Sequence, residues 1–104
     1  MIPAPLRKFL SDLQVATDDG SVTWSEGAGE RAYVCSKNGL NLHISYYFNM
    51  DEGVSYYNFS ITGQKSASFS VSSEENDFRF MENFHSSVEV NANDLSDIGD
   101  TFFD

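Results

Sequence analysis

The sequence predicts a two-layer α+β domain: an antiparallel β-meander of about five strands, with an N-terminal helix and C-terminal helices packed on one face. Three observations carry that expectation. Apolar residues recur at helical spacing near both ends of the chain. Between them, from about Val22 to Val71, apolar and polar residues alternate with a period of two. Two loops in that stretch also set pairings that bring apolar residues opposite one another.

In chain order, Leu6, Phe9, Leu10 and Leu13 fall at i, i+3, i+4 and i+7, one stripe of a helix whose first turn suits Pro5. Thr17-Asp18-Asp19-Gly20 ends it with turn-forming residues. Val22 and Trp24 suggest a short first strand, and residues 31–36 a second. The third is the clearest, with Leu40, Leu42, Ile44, Tyr46 and Phe48 alternating with Asn41, His43, Ser45, Tyr47 and Asn49. Asn38-Gly39 before it is a type I′ hairpin signal. The fourth strand is expected over 54–62 and the fifth over 66–72.

A loop over residues 50–53 pairs Asn49 with Val54, so that Tyr46 faces Tyr57, Ile44 faces Phe59, and Leu42 faces Ile61. A loop over 63–65 then sets Ile61 opposite Ala67, Phe59 opposite Phe69, and Tyr57 opposite Val71. Shifting either pairing by one residue puts the same apolar set against Ser and Asn. Beyond the sheet, Ser72-x-x-Glu75 reads as a capping box opening a helix near Ser72 or Ser73. Phe78, Met81, Phe84 and Val88 follow at helical spacing, and residues 86–91 are read as helix although Val88 and Val90 would suit an edge strand. Asn93 resembles a second N-cap with Leu95, Ile98 and Phe102 on the next stripe, and the end of the chain, Phe102-Phe103-Asp104, is expected to dock.

With 104 residues, 40% hydrophobic content and fifteen aromatic side chains, a single domain over 1–104 buries a sizeable core without metals or disulfides. The lone Cys35 forms no internal disulfide and suits a reducing cytoplasm; no signal peptide or spanning segment is expected. The net charge is −10, and it is unevenly spread. The last thirty-one residues hold nine carboxylates against a single cation, Arg79, and account for eight of those ten charges. A one-sign field of this kind argues against binding nucleic acid or anionic membrane and favours a basic protein partner.

Little in the sequence points to catalysis or to a cofactor or metal, and an enzyme is not expected. Gly27 and Gly29 lack the downstream lysine of a phosphate loop. The predicted register sends Cys35 to the apolar face opposite Leu42 and His43 to the other face, across from Val34 and Ser60, so the two do not form a nucleophile and base. His85, read as a solvated or half-buried residue on a helix flank, has Asp77, Glu82 and Glu89 nearby but no HExxH or Glu-x-x-His spacing. Neither Asp51-Glu52 nor residues 91–97 make a calcium loop. An enzyme would need carboxylates such as Glu26, Asp51 or Glu52 gathered with raised pKa values.

Two binding surfaces remain. The outer sheet face carries Asn41, His43, Ser45, Tyr47, Tyr56, Asn58, Ser60, Ser68 and Ser70, with Tyr47 and Tyr56 adjacent on a Ser/Asn background. The acidic end carries Glu74, Glu75, Asp77, Glu82, Glu89, Asp94, Asp97, Asp100 and Asp104, with too few cations for a mixed solvated surface. The residues expected to meet a partner are Tyr47, Tyr56, Asp51, Glu52, Glu74, Glu75, Asp77, Glu82, Asp94 and Asp97.

In size, charge and architecture the chain resembles small acidic bacterial immunity proteins and phage-encoded inhibitors. The resemblance implies a cytoplasmic, non-enzymatic protein that occupies the cationic site of a nuclease or nucleic-acid-binding machine. No motif specific to such a family is present, so no residue roles are carried over. Small acidic secretion chaperones are similar in size and acidity, and that resemblance implies a homodimeric scaffold. Their usual order places a helix between the third and later strands, where Phe48 to Val54 leaves room here only for a turn. The chain itself is expected to be a monomer or a homodimer.

Overall fold

A computed structural model describes residues 1–29, 31–93 and Phe102. Helix α1 (Ala4–Asp18) starts just after Pro3, with Pro5 in its first turn where a missing N–H costs nothing. It stops where Gly20 takes φ 83 and the Asp19 carboxylate accepts the Ser21 N–H at 2.8 Å. Five strands follow, β1 (Ser25–Glu26), β2 (Tyr33–Lys37), β3 (Leu40–Asn49), β4 (Val54–Gly63) and β5 (Ala67–Ser72), then helix α2 (Phe78–Ala92). The strands form one antiparallel sheet in sequence order. Among the described residues no helix is long and apolar enough to cross a membrane.

The register agrees with the expected pairing at every apolar position: Tyr46 faces Tyr57, Ile44 faces Phe59, Leu42 faces Ile61, and Phe59 faces Phe69. Both turns have the backbone that their residues favour. Asn38 and Gly39 sit at φ 55 and 80, the two-residue I′ geometry that matches strand twist. Gly63 lies so close to the Gly39 carbonyl oxygen that a Cβ would collide with it. On the inner face Cys35, Leu42, Ile44, Tyr57, Phe59, Ile61 and Val71 are buried, and they meet Leu10 and Leu13 of α1 with Met81, Phe84 and Val88 of α2. Both helical stripes therefore cover the same sheet face.

Four expectations are corrected. Val22 and Trp24 are not a strand. The Trp24 N–H donates to Asn91 Oδ1 at 2.8 Å instead of to a ladder, and its indole is buried edge-on against Phe84 and donates to Thr17 Oγ1 at 3.0 Å. Residue 31 does not open the second strand, because Arg31 takes φ 54. The capping box does form its reciprocal bond, Ser72 N–H to Glu75 Oε2 at 2.8 Å. It closes a turn at the end of β5, however, and α2 begins only at Phe78, with Asp77 at the N-cap position but its carboxylate engaged elsewhere. His85 is neither solvated nor half-buried. Only 1% exposed, it packs against Tyr33 and Tyr57 with Nε2 at 2.9 Å from the Arg31 carbonyl oxygen.

Residues 86–91 are helical, as expected. Asn93 ends α2, its N–H and Nδ2 both donating to the Glu89 carbonyl oxygen. Its expected role as a second N-cap, the stripe through Leu95 and Ile98, and the docking of Phe103 and Asp104 lie outside the described residues, while Phe102 is 78% exposed.

Candidate functional site: the β3–β4 hairpin end

Strands β3 and β4 pair over ten residues, longer than the helical layer that covers them, so their shared end stands clear of the core. Three large apolar side chains project there into solvent: Tyr47, Phe48 and Met50 are 55%, 48% and 85% exposed. Alternation puts Tyr47 on the outer face and Phe48 on the inner one, with Met50 at the tip. Tyr47 and Tyr56 are direct cross-strand neighbours, their rings stacked with centroids 6.5 Å apart at 29°.

The loop between the strands is organised by Asn49. Its Oδ1 accepts the N–H groups of Asp51 and Glu52 at 3.0 and 3.2 Å, and Gly53 at φ 69 closes the turn onto the Asn49 carbonyl. That geometry aims Glu52 back along the hairpin. Glu52 Oε1 accepts from Asn49 Nδ2 at 2.9 Å and from the Tyr56 hydroxyl at 3.0 Å. The hydrogen bond to Glu52, followed by desolvation and the charges of Glu52 and Glu74, holds the Tyr56 hydroxyl above the ordinary tyrosine pKa. Tyr56 is thus a neutral donor locked in place beside Tyr47. On the inner side of the same end the Tyr46 hydroxyl meets Ser55 Oγ at 2.8 Å, and the Arg31 guanidinium lies over the Tyr46 ring at 4.6 Å.

Glu74 joins this end because β4 and β5 continue their pairing past the last strand residue. Ser55 N–H donates to Ser73 Oγ at 3.2 Å and Ser73 N–H to the Ser55 carbonyl at 2.8 Å, which sets Glu74 beside Tyr56. Tyr47, Tyr56, Asp51, Glu52 and Glu74 therefore share one region. The neighbouring acids do not. Glu75 pairs with the Met1 ammonium and accepts from Ser72 N–H, which keeps its pKa below the ordinary value. Asp77 takes a two-pronged bond from Arg7, at 3.0 and 2.9 Å, and the Ile2 N–H at 2.9 Å, so its carboxyl is also held low.

Glu82 is exposed on α2, near enough for its charge to help raise the Tyr57 hydroxyl behind desolvation. Asp94 and Asp97 lie outside the described residues. The alternation of β3 does not by itself single out Phe48 or Met50 as surface residues. The signal for Phe48 was its partner: it faces Ser55, where every earlier inner-face residue from Leu42 onward faces an apolar one.

Among the described residues no three His, Cys, Asp or Glu side chains gather closely enough to hold a metal ion. Cys35 and His43 pair with Leu42 and Val34 in adjacent rungs and so project from opposite faces, and desolvation pushes the Cys35 thiol up. What this end can do is offer aromatic and thioether surface beside fixed carboxylates. No protein-family model, curated protein or solved structure matches the chain.

Proposed function

We propose that this chain is a small acidic, non-enzymatic binding domain that captures a basic protein through its β3–β4 hairpin end. One observation carries the reading: Tyr47, Phe48 and Met50 stand exposed together at the end of the hairpin, while the inner-face residues Leu42, Ile44, Tyr57 and Phe59 are buried, and Glu52 and Glu74 lie by Tyr56, the stacking partner of Tyr47. Tyrosine and methionine are enriched in protein interfaces, and aromatic anchors contribute much of the binding energy. Tyr56 is already ordered by Glu52, so less rotamer freedom is lost on docking.

The net charge of −10 supplies steering toward a cationic surface. It also disfavours self-association through this end, because a two-fold pairing would set two Asp51, Glu52 and Glu74 groups against each other. A basic partner satisfies the carboxylates and the apolar groups at once, as an inhibitor of a nucleic-acid-handling protein would require.

The test uses the tagged chain and a Tyr47→Ala/Phe48→Ser/Met50→Ser variant as parallel baits in lysate of the source cell, washed at low and high salt. A basic protein retained by the wild type, weakened by salt and lost with the variant supports the reading. Equal recovery by both baits sinks the hairpin as the binding end.

A further inference from the structure

At the opposite end of β3, roughly 30 Å from the hairpin tip given the rise per strand residue, the core is not closed. Helix α1 leans mainly on α2, and a gap of about 190 Å³ remains between α1 and the β2–β3 turn. Its walls are Phe9 and Leu13 of α1, Val22, and the inner-face residues Cys35, Leu40 and Leu42. The gap is a cleft open to solvent on one side, and a cleft walled by apolar groups with polar groups at its rim is a candidate ligand site. An enclosed apolar cavity of about 150 Å³ takes up benzene, so a cleft of about 190 Å³ is of a size to receive an apolar body of six to eight carbons.

The rim is as informative as the walls. Lys37 projects from the same sheet face as Tyr33 and Cys35, where its neighbours are apolar, and pairs across the ladder with Leu40 at the mouth. Its charge is felt at the Cys35 thiol in the wall. Among the described residues no carboxylate lies within ion-pair distance of Lys37, in a chain where acids outnumber bases sixteen to six. Asn38 stands beside it as a second polar group. An unpaired cation over an apolar chamber is complementary to a ligand with a hydrocarbon body and an anionic head.

We infer that this cavity is a binding site for a small amphiphilic carboxylate, a six- to eight-carbon acid with its chain among Phe9, Leu13 and Leu42 and its head on Lys37. This site is separate from the hairpin end and stands whether or not the hairpin binds a basic protein.

The test is calorimetric titration of the whole chain with hexanoate, heptanoate, octanoate and octanol, each repeated on Lys37→Gln, which alters only an exposed side chain. The expected result is saturable binding that tightens about fourfold per added methylene until the cavity is full, the ratio that corresponds to burying one CH₂. Octanoate should bind about fivefold more weakly to Lys37→Gln while octanol is unchanged. As a second readout, octanoate should slow modification of Cys35, which forms part of the wall. Absence of saturable binding by any of the four overturns the site, as does affinity independent of chain length. Equal affinity for octanol and octanoate, indifferent to Lys37→Gln, overturns the anionic class of the ligand.

Discussion

Polar groups at the junction of α1, α2 and the loop before β1 are consumed by the fold, whereas those at the β3–β4 hairpin end are held in place but left facing outward. At the junction Asn91 alone makes three bonds: Nδ2 donates to the carbonyls of Thr17 and Val22 at 3.0 and 2.8 Å, and Oδ1 accepts Trp24 N–H. At the hairpin Asn49 makes just as many, but they serve to aim Glu52 and Tyr56 beside solvent-exposed Tyr47 and Met50. The same residue type thus serves stability in one place and presentation in the other. Substitutions should separate the two outcomes, and their expected effects differ in size.

The largest effect is predicted for Asn91→Ala. It strands the Trp24 N–H and the Val22 carbonyl where α1, Trp24 and α2 meet, while the Thr17 carbonyl keeps only the Gly20 N–H. Each stranded group costs on the order of 1–3 kcal/mol when it cannot reach water. A loss of about 3 kcal/mol in unfolding free energy is expected by urea titration, with intrinsic affinity for a partner unchanged in the fraction that remains folded. A change below about 0.5 kcal/mol would mean that the junction is not a stability centre. Tyr47→Ala should do the reverse: a fall in partner affinity of about tenfold or more, as for an aromatic anchor, with the same urea midpoint as the wild type. If the midpoint falls and the affinity holds, the two regions have been assigned the wrong way round.

The comparison also explains what could be read from the chain alone. Strand register was legible because one face is apolar and a one-residue slip would invert it, so Leu42, Ile44 and Tyr46 constrain the pairing strongly. The Tyr47–Tyr56 contact followed from that register. Long-range polar contacts left no periodic mark. Nothing local announces that Asn91 will hold Trp24, or that Asp77 will turn from capping α2 to bind Arg7 and Ile2, seventy and seventy-five residues away. Charge was legible as a total but not as a distribution. Glu74 and Glu75 are adjacent in sequence, yet one stands by Tyr56 and the other is folded onto the Met1 ammonium.

Acid should separate the two regions again, with a smaller effect. Desolvation pushes the His85 imidazole below its ordinary pKa of 6.5, against the Arg31 carbonyl bond and the charge of Glu89, while the Arg31 charge pushes the same way as burial. Tyr33 from β2 and Tyr57 from β4 are the other titratable groups against the ring. Because the native value is depressed, the unfolded chain takes up the proton first. Stability is therefore undiminished above about pH 6.5 and declines as pH falls below it, until the native imidazole also protonates. Asp77 and Glu75 are likewise depressed, so their contribution is lost only at lower pH, as it falls below the ordinary carboxylate range. His85→Gln keeps a donor for the Arg31 carbonyl and should abolish the upper part of this profile while sparing the lower. An unchanged slope between pH 5 and 6.5, measured by denaturant midpoint, would remove His85 from the account.

The smallest effects distinguish the acids from one another. Glu74→Gln leaves every hydrogen bond between Ser55 and Ser73 intact and removes one exposed charge beside the tyrosines. Its expected signature is kinetic: association with a basic partner slows about two- to threefold at low ionic strength, with little change once salt shortens the screening length to a few ångströms. Glu75→Gln removes an equal charge one residue away, but that charge is already opposed by the Met1 ammonium and carries the Ser72 N–H. It should lower the unfolding midpoint slightly and leave the low-salt association rate within error of the wild type. Stopped-flow measurement of the two variants side by side isolates position from net charge, since both change the total by one. Identical slowing would show that the partner senses only the overall field of the chain, and the hairpin end would then lose its claim to be where the carboxylates act.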